Sequence, residues 1–143
     1  MSREPNSLNT PWPHIGLLLL RVAASSLMLT HGIPKLQKLM AGGDIKFFDF
    51  LGLGPMPSLA LAVFGEAIAP ILVMLGLFTR FAAFPPAFTM AVAAVMVHGA
   101  DPLGEKELAL LYLLPFVTLM FTGPGRWSLD SLRTRRTGGF RTH

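Results

Sequence analysis

The side chains that could do chemistry in this chain are few, and most sit in apolar surroundings. Glu66 lies eight residues into an otherwise uncharged run, 58–78 (SLALAVFGEAIAPILVMLGLF). At that depth in a bilayer a bare carboxylate costs at least ~2.5 kcal/mol, so it must face protein or water and find a partner. Arg21, His31, Lys35, His98 and Glu107 are the groups within range of that role. Bases, imidazoles and a second acid around a buried carboxylate can hydrogen-bond the oxygens of a small molecule and pass protons. Pro70, four residues after Glu66, has no N–H to bond the Glu66 carbonyl, leaving a polar oxygen beside the carboxylate. No pair among the two histidines and two carboxylates has a local i, i+4 ligand spacing, so a metal is not expected. The chain has no cysteine, which excludes disulfides, thiolate metal sites and a thiol relay of its own.

The elements that must position these groups read as membrane spans. Hydrophobic residues make up 52% of the 143 and charged ones 14%, too apolar a balance for an ordinary soluble domain. Residues 58–78 are long enough to cross a ~30 Å hydrocarbon core. Residues 14–33 form a first span with Arg21 inside it and His31 near its end. A charge inside the apolar run argues against a cleaved signal peptide. The turn at Thr79 and Arg80 is short, so a third span, 81–99, runs antiparallel to the second and carries Pro85 and Pro86 at its start. A fourth, 107–122, contains Pro115 and stops at Gly123, Pro124 and Gly125.

The expected fold is therefore all-α, an antiparallel four-helix transmembrane bundle. Residues 34–57 join the first two spans, either along the membrane surface or as a short re-entrant lid bearing Phe47, Phe48 and Phe50. A polar segment, 1–13, precedes the bundle, and a basic, mostly disordered tail, 126–143, follows it. Seven basic residues (Arg3, Arg80, Arg126, Arg133, Arg135, Arg136, Arg141) fall on the side of the termini, against Lys35, Lys38, Lys46 and Lys106 on the other. By the positive-inside rule the termini are cytoplasmic, with Trp12 and Trp127 in the headgroup belt of that side. The basic excess is thus explained by anionic lipid rather than by nucleic acid.

This topology gathers His31, Lys35, Glu66, His98 and Glu107 into the outer half of the bundle. Arg21 comes up from the inner half, from where a long side chain would reach Glu66. Quieter readings exist for each group. Arg21 and Glu66 can lock two helices as a plain ion pair, and the histidines can cap helix ends. Tyr112 reads as an ordinary bundle residue and the eight methionines as packing.

Taken together, several pieces resemble the DoxX family of small bacterial four-helix membrane proteins. They are Arg21 in its apolar helix, HGIPK at 31–35, GE at 65–66, LGLFTRFAA at 75–83, His98, Glu107 and GPGRWSLD at 123–130. The resemblance runs over about 15–130 and rests on their joint order and spacing. It implies an inner-membrane protein related to the DoxD-type subunits of thiosulfate:quinone oxidoreductase and associated with redox or thiol-stress systems. Arg21, His31, Lys35, Glu66, Arg80, His98 and Glu107 are the positions that carry it. Arg80 and Pro70 read as topological residues.

Three functions follow as expectations. The first is a redox-associated subunit that binds a quinone or similar molecule, with His31 or Arg21 donating to its oxygens and Glu66 or Glu107 passing protons. No dinucleotide fingerprint, P-loop or haem motif is present, so any redox group is borrowed, and a partner protein or a second copy would complete the electron path. The second is a non-catalytic scaffold or assembly factor. The third is a small proton-coupled transporter, suited by intramembrane charges and by Pro70 and Pro115.

Overall fold

The computed structural model describes residues 10–137. Most of the expected N-terminal segment, and 138–143 of the tail, lie outside them. The described residues are all helical or irregular, with no strand among them. Helix α1 is Trp12–Ala41. The second crossing is α2, Pro55–Val63, a π-helical turn, Phe64–Ile68, and α3, Ala69–Leu75. The third is α4, Thr79–Ala82, α5, Phe84–Val92, and a second π-helical turn, Ala93–Val97. The fourth is α6, Leu103–Thr122, and a short helix, α7, Leu129–Thr137, follows it.

Three of these crossings are long and apolar enough to span a bilayer: Trp12–Ala41, Pro55–Leu75 and Thr79–Val97. Helix α6 is of similar length, 20 residues, but carries Glu105, Lys106 and Glu107 near its start. The four form an antiparallel bundle in which α1 packs on the second crossing and on α6, while α5 packs on α6 and on the first π turn. Each crossing thereby neighbours the next, and the fourth returns to the first.

The core sets a few larger side chains among many alanines. Met28, Val73, Phe116 and Leu119 are fully buried among Ala24, Ala83, Ala87 and Ala94, which lets the helices approach closely. Large apolar side chains point outward instead, as Phe81 (82% exposed) and Phe121 (78%) do, the arrangement expected where the surroundings are lipid. Trp12 and Trp127 are both exposed at the end of the bundle that carries the termini.

Several boundaries differ from the sequence expectation. Helix α1 does not stop before Pro34 but continues to Ala41. A proline inside a helix costs ~3 kcal/mol. Beyond it, Leu36 and Leu39 pack on a second core cluster of Ile45, Leu59, Val63 and Ala67. Burying a leucine contributes up to ~1.5–3 kcal/mol, enough for the pair to offset the proline. The connector is thus shorter than expected, 42–54, and Pro115 likewise fails to interrupt α6. Part of the tail expected to be disordered is the helix α7.

Candidate functional site

Glu66 is placed by a wide turn and two glycines. The π turn closes with the Ala69 N–H donating to the Phe64 carbonyl, five residues back. Pro70 follows with no N–H to give, which frees the Glu66 carbonyl from the ordinary helical pattern. That carbonyl lies against Gly32 of α1, so closely that a Cβ on Gly32 would overlap the Glu66 carbonyl group and the Ala67 nitrogen. On the other flank Gly65 meets Thr89 and the Pro85 carbonyl of α5. The HG and GE dipeptides of the sequence are therefore close-approach points of α1 and α5 on the turn that bears the acid.

The partner of Glu66 is Lys35. Its Nζ lies 2.5 Å from each carboxylate oxygen of Glu66. The Glu66 side chain is 3% exposed and that of Lys35 32%. The continuation of α1 past Pro34 is what delivers Lys35 to this depth. The connector folds back over the pair, with the Phe47 ring centroid 5.8 Å from Lys35 Nζ and Phe50 edge-on to Phe88 at 6.2 Å. It is pinned by Phe50 N–H donating to Ser58 Oγ (2.9 Å) and Gly54 N–H donating to Asp49 Oδ1 (2.8 Å).

Two cavities meet at the ion pair. One, about 510 Å³, is walled by aromatic and aliphatic groups, including Phe47, Phe50, Phe64, Phe84 and Phe88, with Lys35, Glu66 and His98 also in its wall. Its outer residues Leu61, Phe64, Phe84 and Phe88 are about half exposed on the lipid-facing side of the second and third crossings. The other, about 140 Å³, is bordered by His31, Lys35, Glu66, His98, Glu105 and Tyr112 above a floor of Met28 and Met90. His31 and Tyr112 meet edge to face at 5.5 Å. His98 ends the second π turn and holds Asp101 through Nδ1 at 2.9 Å.

Of the residues singled out from sequence, His31, Lys35, Glu66 and His98 converge here, at the end of the bundle opposite the termini. Glu107 is exposed and borders neither cavity; Glu105, two residues earlier and so on the other face of α6, takes that place. Tyr112 also borders the polar cavity, where ordinary packing was expected. The signal for both lay in the spacing 105, 108, 109, 112, one face of a helix that begins at Leu103. Among the described residues no three His, Cys, Asp or Glu side chains converge to hold a metal.

Arg21 does not reach Glu66. It lies fourteen residues before Lys35 on α1, ~21 Å along the axis, farther than its side chain extends. It is buried at the terminal end, where Nη1 donates to the Pro124 carbonyl (3.1 Å) and Nη2 to the Trp127 carbonyl (2.6 Å). Gly76, at φ 69°, makes room for the guanidinium and for Ser128. Asp130 accepts from the Phe78 N–H (2.8 Å), the Thr79 N–H (3.0 Å) and the Thr79 hydroxyl (3.1 Å), capping α4. Arg80 packs beside Gly123. The LGLFTRFAA and GPGRWSLD segments are thus two halves of one clasp, which holds the end of α6 to the turn between the second and third crossings.

The sequence is similar to known proteins. The DoxX family profile matches residues 16–99, which contain Arg21, the ion pair and His98. An uncharacterized protein of Haemophilus influenzae is 35% identical over 136 residues, covering 88% of this chain and 96% of the relative. The inner membrane protein YphA of Escherichia coli is 33% identical over 127 residues, covering 80% and 87%. No solved structure matches the chain.

Proposed function

The chain belongs to the DoxX family, and from that premise we propose that it is a redox-associated membrane subunit that binds a quinone or similar small molecule at the Lys35–Glu66 pair. One observation carries this reading: a buried carboxylate, paired with a partly exposed lysine, forms part of the wall of an aromatic cavity of about 510 Å³ that faces lipid. That volume lies within the ~300–1,000 Å³ of small-molecule sites, and an apolar chamber with few polar groups is their usual composition. Lys35 and His98 would donate to the ligand's oxygens, and Glu66 would hold Lys35 in place. A bound quinone would supply two-electron, two-proton chemistry, with electrons exchanged through a partner protein. The protein would sit in the bacterial inner membrane with both termini cytoplasmic, as its loop charges suggest.

Native mass spectrometry with lipid extraction, on protein purified in mild detergent, tests this. A quinone-sized molecule bound to the wild type and lost in Glu66→Gln is the expected result. A ligand-free protein that carries a stoichiometric partner, unchanged by the substitution, would overturn the reading in favour of a scaffold.

A further inference from the structure

We infer that the polar cavity is the proton route of the buried acid, so that Glu66 exchanges protons with water at the end of the bundle opposite the termini and not with the terminal end. The inference rests on the ligand site proposed above and adds a direction to it. Lys35, Glu66, Ala93 and His98 are common to both cavities, forming a partition between a lipid-facing aromatic chamber and a small polar one. At roughly 30 Å³ per water, the 140 Å³ of the polar chamber has room for about four to five. Those waters would find partners in His31, Glu105 and the Tyr112 hydroxyl. Glu105 and Leu108 are exposed at its mouth, which places that mouth at the start of α6.

Toward the terminal end the acid is sealed. Met28, Val73 and Phe116 are 0% exposed and Met90 is 7%, an apolar layer between the acid and the buried hydroxyl of Ser25, which lies one turn of α1 farther toward the termini. The titratable groups that face Glu66 are therefore all on the open side. They are Lys35 and His31 on α1, His98 with its partner Asp101 after the second π turn, and Glu105 and Tyr112 on α6. The connector and α5 put no titratable group into the cavity walls, the connector contributing Phe47, Phe48 and Phe50 and α5 contributing Phe84, Phe88 and Thr89 among its lining residues.

The absence of cysteine makes a clean test possible. Ala109, 8% exposed, borders the polar chamber, and Ala109→Cys puts a single small thiol there. In phosphatidylcholine proteoliposomes, with orientation fixed by protease cutting of the C-terminal tail, dicyclohexylcarbodiimide reports protonated Glu66 as a mass increase. We expect this labelling to rise as the far-end solution is acidified and to ignore pH at the terminal end. A charged methanethiosulfonate should reach the new thiol from the far end only. Once attached, it should abolish the pH response, whereas the unreacted variant labels like the wild type.

Labelling that follows the terminal-end pH, a thiol reached only from that end or from neither, or a pH response that survives the adduct would each overturn the inference. Binding of decylubiquinone, measured on the same samples, keeps the two readings apart. Its absence would sink the ligand assignment, while the labelling pattern alone decides the proton route.

Discussion

Replacing Gly32 with alanine is the sharpest test of how the buried acid is held. In an exposed helix interior Gly→Ala stabilises by about 1 kcal/mol through backbone entropy and helix propensity. Gly16 is such a place: it lies on the same helix, and a Cβ there meets nothing within 4 Å. At Gly32 the added methyl would overlap the Glu66 carbonyl and the Ala67 nitrogen, and none of these backbone atoms can rotate aside. Helix α1 would have to retreat from the π turn, an overpacking cost of ~1–3 kcal/mol or more. The two alanines should therefore differ by roughly 2–4 kcal/mol, with opposite signs. Equilibrium unfolding in mixed micelles of mild detergent and dodecyl sulfate measures both. Because the same retreat pulls Lys35 from Glu66, Gly32→Ala should also weaken quinone binding, and Gly16→Ala should not. If Gly32→Ala stabilises the protein as Gly16→Ala does, the close approach of α1 to the acid-bearing turn is wrong.

Other expectations concern single contacts. Lys35→Met leaves Glu66 buried without a partner; since Lys35 is a third exposed, the loss should be discounted to roughly 1–3 kcal/mol. Adding Glu66→Gln should recover part of it, a coupling that a double-mutant cycle in the same unfolding assay reads directly. Arg21→Ala removes two hydrogen bonds from a charged group and should cost roughly 1.5–3 kcal/mol for each, yet change quinone affinity less than twofold, the limit of ~0.4 kcal/mol. Asp130→Asn weakens the cap of α4 by ~1 kcal/mol and should speed amide hydrogen exchange at Phe78 and Thr79 before that at α6.

The bundle was legible because its signals are additive along the chain. Four apolar runs, a short turn at Thr79 and a glycine-rich stop after Thr122 needed no knowledge of distant contacts. The acid was legible for the same reason, since a carboxylate inside such a run must be partnered. Its partner was harder to see. Pro34 marks a helix end by local rules, and only the packing of Leu36 and Leu39 on Leu59 and Val63 carries α1 past it to place Lys35. Arg21 was rightly placed at the terminal half but paired with the wrong group, because its true acceptors are carbonyls of Pro124 and Trp127, more than a hundred residues away in the chain. Carbonyl acceptors leave no mark in a sequence. Glu105 and Tyr112 were passed over because α6 begins four residues before the expected start, and a helical face cannot be read from a misplaced origin. The aromatic chamber was half visible in Phe47, Phe48 and Phe50. Its other wall, Phe84 and Phe88 on α5, belongs to it only once the connector folds back.

The account turns on whether a quinone or similar small molecule occupies the chamber beside Lys35. The most direct measurement is a decylubiquinone titration of the wild type, Lys35→Met and Arg21→Ala, each in lipid nanodiscs. Saturable binding at one molecule per chain is expected, weakened at least about tenfold in Lys35→Met, the equivalent of one charge-assisted hydrogen bond, and retained in Arg21→Ala. Non-saturable partitioning in the wild type, or a site indifferent to Lys35→Met, would contradict it.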